Sequence, residues 1–70
     1  MYKNLEAEII RAGLSNNEMA EMLGITRSNF SQKLNKKVSW KLNEMLMIQT
    51  EINKRLAEDY TLDYLFQERD

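Results

Sequence analysis

Arg27, Ser28, Asn29, Ser31, Gln32 and Asn35 fall within a nine-residue stretch whose apolar members are Phe30 and Leu34. On a helix turning 100° per residue, with Phe30 and Leu34 facing a core, Ser28, Gln32 and Asn35 project almost directly outward. Ser31 and Asn29 lie to either side, and Arg27 sits in the first turn. These residue types suit hydrogen bonding to base edges: Arg pairs bidentately with guanine and Gln with adenine, while Ser serves several bases. Lys36 and Lys37 follow the stretch, where ammonium groups would meet a phosphate backbone. A solvated polar face has the same composition, so the surrounding elements must decide between the two.

Other chemistry is poorly supplied. The chain has no His and no Cys, which excludes imidazole general bases, Ser-His and Cys-His nucleophile pairs and the usual zinc sites. Eleven acidic residues remain, but seventy mostly helical residues can hardly wall off a pocket around a carboxylate pair. The expectation is therefore no enzyme, no metal, no cofactor and no small-molecule substrate. The start, Met1-Tyr2-Lys3-Asn4-Leu5-Glu6, lacks an apolar signal core, and the longest aliphatic stretch is Met45 to Ile48. No secretion signal or membrane span is expected, and the default location is the cytoplasm.

Net charge is −1, an average that conceals a pattern. Residues 1–24 sum to −2, residues 25–41 to +5 through Arg27, Lys33, Lys36, Lys37 and Lys41, and residues 42–70 to −4. One basic segment without an acid lies between two acidic flanks. Such flanks lower nonspecific affinity for a polyanion and leave a localised patch.

The elements that must position this segment are easily punctuated, because the chain has no Pro and only Gly13 and Gly24. Tyr2, Leu5, Ile9 and Ala12 form one stripe on a first helix ended by Gly13. Ser15-Asn16-Asn17-Glu18 is a capping box opening a second helix that buries Met19, Ala20 and Leu23. Gly24 stops it, Ile25 points inward, and Thr26 caps a third helix over about 26–35. A fourth begins near Leu42, with Leu42, Met45, Ile48 or Gln49, Ile52 and Leu56 inward. Lys41 is a poor cap for it, which leaves Ser39 as the alternative. Thr61 caps a short last helix with Leu62, Leu65 and Phe66 on one side. This is one domain, 1–70, of a size that buries only about 60% of the surface its unfolded chain exposes.

The second and third helices are joined by only Gly24-Ile25-Thr26, right for a near-perpendicular crossing and too short for antiparallel packing. Ala20 allows close approach, Gly24 permits a turn at positive φ, and Phe30 locks the third helix down.

Residues 14–37, LSNNEMAEMLGITRSNFSQKLNKK, resemble the helix-turn-helix of the phage-repressor and Cro-type transcriptional regulators, with the motif at about 15–35. Trp40-Lys41-Leu42-Asn43-Glu44 and Leu62-Asp63-Tyr64-Leu65-Phe66 resemble the entry to helix four and the closing helix of small members. The resemblance implies an all-α, five-helix λ-repressor-like DNA-binding domain. It departs from the family at Asn35-Lys36-Lys37, where Asn-Gly-Lys is usual and a glycine would make the tight turn.

By resemblance, Arg27, Ser28 and Gln32 match base-reading positions, Ser31 joins them, and Asn16 matches a phosphate contact at a helix N-terminus, where the dipole favours an anion. Thr26, Asn29, Asn35, Lys36 and Lys37 are expected along the DNA backbone. The expected function is a sequence-specific double-stranded DNA-binding regulator, phage or mobile-element repressor-like. A homodimer through Leu62, Leu65 and Phe66 is a further expectation, because apolar residues recur there on a terminal helix. The alternative is a protein-interaction module, antirepressor or antitoxin-like, which the net negative charge favours.

Overall fold

A computed structural model describes residues 2–68; Met1, Arg69 and Asp70 of the expected 1–70 domain lie outside the described residues. These residues form five helices, α1 (Lys3–Arg11), α2 (Asn16–Leu23), α3 (Arg27–Leu34), α4 (Leu42–Leu56) and α5 (Leu62–Leu65), and among them there is no strand. The principal extents are 28 × 26 × 20 Å. No helix is long and apolar enough to cross a membrane.

α2, α3 and α5 begin at residues whose side chains accept a first-turn amide, whereas α1 and α4 have no side-chain cap. Ser15 Oγ accepts from the Glu18 N–H at 3.1 Å while Glu18 Oε1 accepts from the Ser15 N–H at 2.9 Å, the reciprocal box expected for α2. Thr26 Oγ1 accepts from the Asn29 amide at 3.0 Å and Thr61 Oγ1 from the Tyr64 amide at 3.1 Å. At α4 the cap position falls to Lys41 and not to Ser39. What makes that position workable is Glu44, whose Oε1 accepts the Lys41 N–H at 3.0 Å.

The same paired bonds close the first three helices. Leu14 N–H reaches the Ile9 carbonyl and Gly13 N–H the Ile10 carbonyl after α1; Ile25 and Gly24 repeat this with Ala20 and Glu21 after α2. Each needs one residue in the left-handed region, supplied by Gly13 at φ +71° and Gly24 at φ +73°. After α3 the pattern recurs with Lys37 on Gln32 and Lys36 on Lys33. Here the left-handed residue is Lys36, at φ +64°. The tight turn that the missing glycine put in question therefore forms, at the cost of backbone strain on a lysine.

One core collects the inward side chains: Tyr2, Leu5, Ile9, Met19, Ala20, Phe30, Leu34, Ile48, Ile52, Leu65 and Phe66. Leu23, Ile25, Met45, Leu56 and Leu62 pack against it, half-buried. Trp40 meets Phe30, Phe66 and Tyr2 edge-on at centroid distances of 5.7, 5.4 and 6.2 Å, tying the segment before α4 to the chain's two ends.

Two expectations are corrected. Leu42 is 63% exposed, because it is the first residue of α4 and lies about 120° from Ile48 on the helix, off the Glu44-Ile48-Ile52 stripe. Leu65 and Phe66 are buried in the core and Leu62 packs against it, so the stripe expected at a dimer interface is consumed within the chain.

Candidate nucleic-acid interface

α2 and α3 pack against each other and carry the sequence-predicted site. Phe30, fully buried, and Leu34 draw α3 onto the core and fix which of its sides meets solvent. Arg27, Ser28, Gln32 and Asn35 are exposed, and Asn29 and Ser31 are half-buried at the edges of that face. The structure thus brings together on one side of an eight-residue helix the residue types able to pair with base edges.

Their freedom differs. Among the described residues Arg27 and Lys37 have no ion-pair partner, and the Ser28 and Gln32 side chains make no hydrogen bond. Asn35 Nδ2 donates to the Ser31 carbonyl at 3.0 Å, turning one amide proton back onto the helix. Thr26 Oγ1 is engaged as an acceptor by its cap bond, which leaves its hydroxyl proton to donate. Lys36 Nζ stands 5.6 Å over the Tyr2 ring and 3.7 Å from Glu68 Oε1, a loose pair that a phosphate could displace. Asn16 is exposed at the first position of α2, directly after the Ser15 cap.

The basic segment is not uniformly a surface. Lys33 is 3% exposed. Its Nζ donates to Glu44 Oε1 at 2.9 Å and to the Ser39 carbonyl at 3.1 Å, and lies 5.8 Å from the Trp40 ring centroid. Burial alone pushes the Glu44 carboxyl up, but hydrogen bonds from Lys33 and the Lys41 amide, with the attraction of both charges, bring it below its ordinary value. The pair removes one cation from the exposed patch, leaving Arg27, Lys36, Lys37 and Lys41.

The charge pattern alone groups Lys33 with the other cations of the basic segment. The signal against that was available: Lys33 falls on the Phe30–Leu34 side of α3, and Glu44 falls one turn before Ile48 on the buried side of α4. A second buried carboxylate, Glu8, receives the Tyr64 hydroxyl at 2.8 Å and Arg11 at 3.0 Å and joins α1 to α5. That contact with Glu8 is the main cause raising the Tyr64 phenol. Both clusters are structural in their contacts, and among the described residues no group of His, Cys, Asp and Glu could hold a metal ion.

Comparison with known protein families, with curated proteins and with solved structures finds no match. The functional reading therefore rests on residues and geometry.

Proposed function

We propose that the chain is a sequence-specific double-stranded DNA-binding transcriptional regulator, repressor-like in the manner of phage and mobile elements. In this reading α2 and α3 act as a helix-turn-helix and α3 enters the major groove. The observation that carries it is the coincidence on α3 of an exposed Arg27, Ser28, Gln32 and Asn35 face, opposite Phe30 and Leu34, with Lys36 and Lys37 at its end. Arg27, Ser28, Ser31 and Gln32 read base edges. Asn16, Thr26, Asn29, Asn35, Lys36 and Lys37 hold the backbone on either side. Net charge of −1 keeps nonspecific attraction low, so discrimination has to come from base contacts.

The test is selection from random duplexes followed by binding of two variants, on the selected and on a scrambled site, across a salt series. Gln32→Ala should lose about 1–3 kcal/mol on the selected site, relax preference at one base pair and leave scrambled binding nearly intact. Lys37→Ala should weaken all sequences alike and reduce the slope of log K against log salt by about 0.9. Equal losses by both variants on every duplex would show that α3 does not read bases.

A protein-interaction module, antirepressor or antitoxin-like, is the second reading, and one surface favours it. From Leu42 to Thr50 the exposed side chains of α4 are Leu42, Asn43, Leu46, Met47 and Thr50, none of them charged, in a chain that is 30% charged. Failure to retard any duplex even at low salt would move the reading to this face.

A further inference from the structure

α3 reaches the core through few apolar side chains. Of its eight residues only Phe30 and Leu34 are buried apolar groups. They lie one turn apart on one side of the helix, so they fix which side of α3 faces the core, but apolar packing imposes no bond direction that would set its fine rotation. Lys33 lies beside Leu34 and supplies what they lack. Its ammonium bonds Glu44 Oε1 at 2.9 Å and the Ser39 carbonyl at 3.1 Å, with donor directions that apolar packing does not impose. The same Glu44 oxygen accepts the Lys41 amide at 3.0 Å. One cation and one carboxylate thus join the last turn of α3, the connection over 35–41 and the first turn of α4.

We infer that Lys33 and Glu44 are positioning residues whose buried pair sets the rotation of α3, and with it the register at which Ser28 and Gln32 meet base edges. The inference rests on the DNA-binding reading above and adds a control of specificity that involves no contact with DNA. A rotation of about 20° at the roughly 5–6 Å radius of a helix surface moves a side-chain tip by about 2 Å. Productive polar sites need placement within about 0.5 Å and 10–20°. Replacing a buried ion pair by uncharged groups is commonly neutral for stability, so the pair is better explained by fixing one geometry than by holding the fold.

The experiment compares wild type with the double variant Lys33→Met, Glu44→Gln. Glu44→Gln keeps an oxygen for the Lys41 amide, and Lys33→Met keeps the volume of the stem without the charge. Thermal unfolding, binding to the selected duplex and binding to a scrambled duplex are measured across salt. The double variant should melt within a few degrees of wild type and bind scrambled DNA with an unchanged salt slope, because the Lys33 charge is buried away from phosphate. Its preference for the selected duplex should fall by about tenfold or more, the equivalent of one misplaced bidentate contact. A purely structural pair would move melting alone, so an unchanged preference overturns the inference.

Glu44→Asp provides the second arm should the double variant not fold. It keeps both charges and withdraws the carboxylate by one methylene, so preference should fall with a loss in melting temperature smaller than that of Glu44→Gln; an undiminished preference again overturns the inference. A wild-type chain that selects no preferred duplex overturns both this inference and the DNA-binding reading. Wild-type preference that survives in the variants overturns only the positioning role.

Discussion

Lys36 and Ala57 both occupy the left-handed region, at φ +64° and φ +53°, and replacing each by glycine should separate strain that is only structural from strain kept for a charge. A left-handed L-residue costs about 1–2 kcal/mol. Glycine removes that cost but adds about 0.4–1 kcal/mol through the greater entropy of its unfolded chain. For Ala57→Gly, whose side chain carries no polar contact, the balance is a gain of about 0.5–1 kcal/mol, and the melting temperature should rise by a few degrees in a chain this small. For Lys36→Gly the same gain is offset by the lost contact over Tyr2, about 0.5–1 kcal/mol, and by the Glu68 pair. That pair is exposed and 3.7 Å long, so it adds little. Lys36→Gly should therefore melt close to wild type. On DNA the two variants should part: Ala57→Gly binds as wild type, while Lys36→Gly loses about 0.9 from the slope of log K against log salt. Calorimetry and a salt series on the selected duplex supply both readouts. A fall in melting temperature for Ala57→Gly refutes the strain argument, and an unchanged salt slope for Lys36→Gly refutes the placement of Lys36 on phosphate.

Other outcomes follow from single features. Gly24→Val should cost on the order of 1–3 kcal/mol, all of it from backbone strain at φ +73°, since a Cβ built there meets nothing within 4 Å; undiminished thermal stability would remove the argument for this turn. Glu44 has a folded pKa below its unfolded value, so the stability it confers is present above about pH 4.3 and is lost as pH falls through the folded pKa. Glu44→Gln should therefore be clearly less stable than wild type near pH 7, where it leaves Lys33 buried without a counter-charge, and the difference should narrow on acidification; a constant difference across acid titration would contradict the pairing. Leu42→Ser should change stability by less than about 0.5 kcal/mol, because its side chain is largely in solvent, and urea unfolding checks it.

The helices were legible where local rules act alone. Ser15 with Glu18, Thr26, Thr61, Gly13 and Gly24 are punctuation whose effect is confined to one turn, and each does what its type dictates. Sequence periodicity also placed Phe30 and Leu34 inward and the Ser28–Gln32–Asn35 side outward. What was not legible depends on a second element. Lys33 lies on the Phe30–Leu34 side of α3, but its charge is held there by Glu44, which arrives from α4, and Leu42 is exposed because it lies off the Glu44-Ile48-Ile52 side of α4. Leu62, Leu65 and Phe66 were an apolar stripe on a terminal helix, and nothing local distinguishes a stripe that meets a partner from one that closes its own core. Tyr2, Trp40 and Phe66 meet edge-on from three parts of the chain, which places Phe66 in the core.

The three helix ends built on the same pair of bonds allow a comparison inside one molecule. After α1 and α2, the left-handed position carries glycine, the residue with least strain there. After α3 it carries a lysine beside a second lysine, although the hydrogen bonds are the same and glycine would relieve the backbone. The exception falls at the end of the helix whose outer face holds Arg27, Ser28 and Gln32, one residue beyond Asn35. Three positions before it, Lys33 has its charge buried and matched by Glu44. Within four residues the chain thus spends one lysine on fixing the helix and strains its backbone to keep another at the surface. Solubility alone gives no reason for that arrangement, since an acidic or polar residue in an unstrained turn would serve equally. A phosphate backbone at the end of α3 does give one, because Lys36 then gains a counter-charge stronger than its loose pair with Glu68.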